Sequence, residues 1–118
     1  MSNPSERCLF CQIATGRMTP RLLHEDDQCV AFADINPQAP FHALVIPRRH
    51  VASLNELTAA DEPLVGHLLR VAAQVAAAAG VAERGWRAMF NTNREGGQVV
   101  FHVHLHVLGG RQMGWPPG

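Results

Sequence analysis

The sequence predicts an α+β fold in which roughly five antiparallel strands form one sheet that packs one face on two helices. Two observations carry this reading: short apolar runs follow one another across brief polar turns, and two segments with helix signals lie outside them. A length of 118 residues fits a single compact domain over 1–118, ending in a Pro/Gly-rich tail from Gly109 to Gly118.

Ser5 is placed to cap a short helix that turns Leu9, Phe10 and Ile13 toward the core, and Gly16 suits the left-handed residue that ends it. Leu22 to Glu25 and Cys29 to Ala33 read as a hairpin around the polar turn Asp26-Asp27. Asp34 to Pro40 follows as a loop, because each proline disfavours helix at the residue before it. His42 to Pro47 is then a largely buried strand. Thr58-Ala59-Ala60-Asp61 has the form of a capping box with the shorter acid. From there Leu64, Leu68, Val71, Val75 and Ala79 recur at helical spacing until Gly80. Pro63 fits the first turn, where its missing N–H has no internal partner anyway. Trp86 to Asn91 and Val99 to Leu108 complete the strands, separated by the turn around Arg94-Glu95-Gly96-Gly97.

Composition narrows the function. With 47% hydrophobic and 17% charged residues the chain has the makeup of a globular enzyme rather than of a disordered segment. Ten arginines balance ten acids, with no lysine, so there is no broad positive surface for a nucleic-acid polymer. No apolar run is long enough to span a membrane and the amino terminus lacks the pattern of a signal peptide, so a cytoplasmic protein without a membrane partner is expected. Three cysteines make an odd number, and Cys8-Leu9-Phe10-Cys11 suggests a metal or redox pair, while Cys29 sits in an apolar run as a core residue.

The most informative stretch is Phe101-His102-Val103-His104-Leu105-His106-Val107. Strand alternation sends Val103, Leu105 and Val107 to one side and all three histidines to the other, spaced by about 7 Å per two residues. A solvated polar face accounts for one such histidine more readily than for three in register beside Gly96-Gly97. A catalytic metal site is a second reading, although no convincing carboxylate or histidine set completes it; Cys8, Cys11 and His50 would close the shell and make it structural. In the third reading a neutral imidazole attacks phosphorus while neighbouring donors hold the phosphate oxygens. His104 and His106 supply nucleophile and donor, and backbone N–H groups near Val99 and Val100 supply a cradle.

The segment His102-Val103-His104-Leu105-His106-Val107-Leu108-Gly109-Gly110-Arg111-Gln112-Met113, with Trp115-Pro116-Pro117-Gly118, resembles the signature and tail of the histidine triad (HIT) family, in its nucleotide-binding branch. The resemblance extends to 32–40, to 42–50, and to Asn91 with Gly96-Gly97-Gln98. It implies that His104 is the nucleophile, passing through a covalent nucleotidyl-histidine intermediate, with His106 on phosphate oxygen and leaving group. His42 is expected behind the nucleophile, fixing its tautomer. Asp34 would accept the ribose hydroxyls, and Asn91 would reach the phosphate or leaving-group region. Leu9, Phe10, Ile13, Phe32 and Ile35 would form an apolar clamp around a purine base. Val99 departs from the pattern, since many eukaryotic relatives have a serine there whose hydroxyl contacts phosphate, and valine cannot donate.

The resemblance further implies hydrolysis of purine nucleoside phosphoramidates, with no cofactor for the chemistry itself. A structural zinc on Cys8, Cys11, His50 and His102 matches some bacterial members. A homodimer is expected, its sheet continued across the interface and Trp115 near the partner's leaving-group side. Two alternatives stay open: a catalytically weak nucleotide- or zinc-binding regulatory protein, and a dinucleoside polyphosphate hydrolase. No GxxxxGK[ST] sequence is present, so a P-loop does not explain nucleotide binding.

Overall fold

The computed structural model describes residues 8–118. Five strands make one antiparallel sheet in the order β1-β2-β3-β5-β4. They are β1 (Leu22–Glu25), β2 (Cys29–Ala33), β3 (Phe41–Pro47), β4 (Trp86–Phe90) and β5 (Leu105–Gly109). Two helices match the expected pair, α1 (Leu9–Ala14) and α2 (Glu62–Ala78). The turn expected around Gly96-Gly97 is wound into a single helical turn, α3 (Asn93–Gly96), closed by Gly97 at φ 83°.

Both caps of α2 follow the sequence logic. The Thr58–Asp61 capping box forms, on a 3₁₀ turn that feeds directly into the helix, and Pro63 sits in its first turn. Gly80, at φ +80°, takes the left-handed conformation just beyond the helix, where a side chain would be strained. For α1 the capping residue is Cys8, whose Sγ accepts the Cys11 N–H at 3.3 Å; the expected Ser5 cap lies outside the described residues.

Two corrections concern the sheet. Helices cover both of its faces rather than one: Leu68, Val71, Val75 and Ala76 of α2 pack on Cys29, Ala31, Ala43, Val45, Leu105 and Val107, while Phe10, Ile13 and Ala14 of α1 pack on Val30, Phe32, Leu44 and Ile46. The central strands β2 and β3 are therefore buried almost without interruption. The second correction shortens the last strand, which begins at Leu105 rather than Val99. The stretch before it leaves the ladder, and the Val103 N–H donates to the Val51 carbonyl at 2.6 Å instead of to a strand.

Candidate active site

Register places the histidines. Pairing of Leu44 with His106 and of His42 with Leu108 across β3 and β5 puts His42 and His106 diagonally adjacent on the α1 side of the sheet. His42 Nε2 lies 2.9 Å from His106 Nδ1. The backbone N–H of Gln38 donates to His42 Nδ1 at 3.0 Å, so in the neutral ring the proton is on Nε2. That proton is donated to His106 Nδ1, which leaves the proton of neutral His106 on Nε2. His106 Nε2 is buried and has no partner.

His104 is set independently. Its Nδ1–H donates to the backbone carbonyl of His102 at 2.8 Å, leaving Nε2 with a free lone pair. The rings of His104 and His106 stand 4.9 Å apart between centroids, and Phe10 meets His104 edge-on at 5.0 Å. The site thus presents a bare imidazole nitrogen beside a buried N–H donor. His42 was expected behind His104; it backs His106 instead, because the β3–β5 register brings those two rings together, and a main-chain carbonyl orients His104.

Burial lowers the pKa of all three rings and so favours their neutral forms. It holds His106 down to about 4, helped by His104 and His42 and opposed by Asp34. His42 and His104 are depressed chiefly by burial as well, against the pull of Asp34 on both and of the His102 carbonyl on His104. Asp34 Oδ2 stands 3.4 Å from His42 Nε2, and its Oδ1 accepts the Asn36 N–H at 2.9 Å. Asp34, expected as a ribose acceptor, also puts a carboxylate within 4.8 Å of ligand nitrogens of His42 and His106. The His42 and His106 nitrogens in that group are already engaged with each other.

These residues open on a cavity of about 600 Å³, whose wall includes Leu9, Phe10, Ile13, Phe32, Ile35, Asp34, Asn91, Val99 and Val100 together with His42, His104 and His106. That volume suits a nucleotide-sized ligand, and its apolar wall with a few convergent polar groups is the usual make-up of such sites. Phe10, Ile13 and Phe32 also belong to the α1 core, whereas Ile35 is 95% exposed and free to lie on a ligand. Trp115, 85% exposed, is not part of this wall. Its expected place depends on a partner chain.

His102 is the triad member that does not join. The backbone before β5 does not hold strand alternation, so this fully buried ring turns away from the cavity toward α1. His102 Nε2–H donates to the Pro47 carbonyl at 2.8 Å, which leaves Nδ1 facing Cys8 Sγ at 3.4 Å and Cys11 Sγ at 3.3 Å. His50 Nδ1 lies 3.1 Å from Cys11 Sγ. All four ligand atoms fall within 4.8 Å of one another. The donor set fits a zinc ion: two sulfurs, two imidazole nitrogens turned toward them, and a carbonyl fixing one ring from its far side. Burial, reinforced by Cys8, pushes the Cys11 thiol up to about 12, so it would ionise there only with a cation beside it.

Gln98 follows Gly96-Gly97 and holds the loop in place. Its buried amide accepts the Asn93 N–H at 2.9 Å and donates to the Ala52 carbonyl at 2.7 Å and the Val100 carbonyl at 3.1 Å, tying the Asn93–Val100 loop to the chain beyond β3. Gln38 acts through its backbone. A polar residue after Gly96-Gly97 was a visible signal for the first; the second lies within the 32–40 stretch, but residue type does not reveal a backbone contact.

The pattern that defines the HIT domain matches residues 16–113. An uncharacterized HIT-like protein of Synechococcus elongatus is 46% identical over 114 residues, covering 97% of this chain and 99% of its own. The crystal structure of a HIT family hydrolase from Legionella pneumophila superposes with a TM-score of 0.93 at 49% identity, over 95% of this chain and all of the other. A histidine triad nucleotide-binding protein from Candida albicans superposes at 0.79 with 30% identity, over 92% and 82% of the two chains. With the fold, the histidine arrangement and these likenesses in agreement, the chain belongs to the HIT domain family.

Proposed function

We propose that the chain hydrolyses purine nucleoside 5′-phosphoramidates through a covalent intermediate on His104. One observation carries the reading: an unpartnered, buried His106 N–H beside the free Nε2 of His104, in a cavity of nucleotide size. A buried donor without a partner costs about 1–3 kcal/mol. A phosphate oxygen seated there relieves that cost and is held next to the nucleophile.

In the first step His104 Nε2 attacks the α-phosphorus, an N–P bond forms, the substrate P–N bond breaks, and the amine departs with a proton. Phosphate charge opposes the depression of the His106 pKa, because an adjacent anion favours imidazolium. Protonated His106 can then hand the proton from Nε2 to the leaving nitrogen. Water next attacks phosphorus, His104 is released, and the proton of that water returns to His106. Asp34 suits the ribose hydroxyls as an acceptor, and Leu9, Phe10, Ile13, Phe32 and Ile35 suit the base. Asn91, Val99 and Val100 line the same cavity, and the backbone at Val99 and Val100 suits the phosphate; the Val99 side chain is 86% exposed and offers no donor.

Zinc on Cys8, Cys11, His50 and His102 is part of the same proposal, as a structural ion that fastens α1 to the sheet. The donor chemistry supports it, and His104 stays outside the ligand set. A homodimer is also part of it. β4 is an edge strand with an open ladder side, the kind of edge that proteins cover or pair, and exposed Trp115 in a proline-rich tail suits a partner's cavity mouth.

The test is turnover of adenosine 5′-phosphoramidate by the wild-type chain and by His104→Ala. Release of ammonia and AMP by the first alone supports the enzyme. Nucleotide binding without turnover in both moves the reading to a regulatory nucleotide-binding protein, for which the missing donor at Val99 is the specific argument. Faster cleavage of a dinucleoside polyphosphate than of the phosphoramidate would transfer the assignment to that substrate class.

A further inference from the structure

The active-site cavity and the Cys8 cluster both lie on the α1 side of the sheet. A separate group of ligand-bearing side chains stands at the joint between the β1–β2 hairpin and α2. His24 Nε2 and His67 Nε2 lie 2.8 Å and 2.7 Å from the same oxygen, Oδ2 of Asp26. The Cys29 thiol donates to that oxygen at 3.6 Å. Oδ1 of Asp26 is fixed by the backbone N–H groups of Gln28 at 2.8 Å and Cys29 at 2.9 Å. Its carboxylate cannot swing away without undoing the hairpin turn.

From this convergence we propose that His24, Asp26 and Cys29 form a second divalent-metal site, suited to zinc or a similar borderline cation. Their ligand atoms lie within 4.8 Å of one another. The mixed nitrogen, oxygen and sulfur set is one that zinc accepts, and three protein ligands leave a fourth position for water. Ligands around a tetrahedral zinc stand roughly 3.3–3.7 Å apart, given bonds of about 2.0–2.3 Å. The Cys29–Asp26 spacing already has that value. The His24 ring must withdraw by roughly half an ångström to match, which its partly exposed place on edge strand β1 allows. His67 keeps its hydrogen bond to the carboxylate and steadies it, as outer partners of metal ligands do.

Charge favours a cation here. Glu25 and Asp27 flank Asp26 in the sequence. Arg48 offsets part of this, with Nη2 3.8 Å from Glu25 Oε2 and Nε on the Asp26 carbonyl at 2.7 Å. With one ligand fewer than the Cys8, Cys11, His50 and His102 set, this site fills second.

The test is a Co²⁺ titration of the full chain, read by cobalt absorption and by ions bound per chain. The wild type is expected to bind one ion more than His24→Phe, which removes a partly exposed ligand and leaves the Asp26 turn and the His67 contact in place. In a Cys8→Ser/Cys11→Ser chain one ion should remain, with sulfur-to-cobalt absorption contributed by Cys29, and adding His24→Phe should weaken its binding at least ten-fold. Equal ion counts in wild type and His24→Phe, both folded by circular dichroism, would overturn the proposal and leave the cluster as a hydrogen-bonded clasp. Should the double-serine chain not fold, the comparison of wild type with His24→Phe still decides.

Discussion

At His106 the fold leaves a buried N–H with nothing to bind, and that one atom separates this arrangement from an ordinary core histidine. Replacing it should therefore damage catalysis more than folding. His106→Gln is expected to lower kcat by ~10²–10⁴-fold, the usual contribution of a proton-transferring group, with little change in the urea midpoint. A loss confined to KM would argue that the ring only binds substrate. The tautomer chain is equally specific, and NMR of the imidazole nitrogens should find the proton on Nε2 in His42 and His106 and on Nδ1 in His104. Acid should also weaken the fold. The His106 pKa falls from 6.5 in the unfolded chain to about 4 in the native one, so between those values the unfolded chain binds more protons. Stability is complete above 6.5 and drops as the pH falls toward 4, with His42 depressed in the same direction. Urea midpoints at pH 7.5 and pH 5 check the sign: a higher midpoint at pH 5 would contradict it.

Among the elements, those set by local pattern were legible in the sequence. The hairpin β1–β2 came from apolar runs about Asp26-Asp27, and α2 came from helical spacing between Thr58 and Gly80. Leu68, 1% exposed, sits where α2 meets the sheet. Leu68→Ala should cost about 2–5 kcal/mol in urea unfolding, the range for a large buried side chain cut to alanine. The early end of β5 was not legible. Val99 to Val103 alternates as a strand does, yet Gln98 and the Val103 N–H bind the segment after β3 instead. Losing that alternation turned His102 away from the other two histidines. Partnership between His42 and His106 was hidden for a related reason, since it depends on a strand register set by residues far apart in the chain.

Across the full chain, two members of the three-histidine motif, His104 and His106, face the cavity and the third does not. What the motif could not give was the division of labour: one ring oriented by a carbonyl, one by His42, and one turned to two cysteines. Among the described residues no helix is long and apolar enough to cross a membrane. The open edge of β4 and the exposed tail predict a dimer, so light scattering at micromolar concentration should return twice the chain mass of 12.9 kDa. If cleavage survives in a monomeric variant at full rate, the tail plays no part in the site.

All of this depends on His104 Nε2 being free to bond to phosphorus. Mass spectrometry of the chain quenched within milliseconds of mixing with adenosine 5′-phosphoramidate measures that directly. A nucleotidyl adduct that appears and decays on the peptide carrying His104 is the predicted result. Product formation with no adduct at any time, or an adduct on His106 or His42, would contradict it.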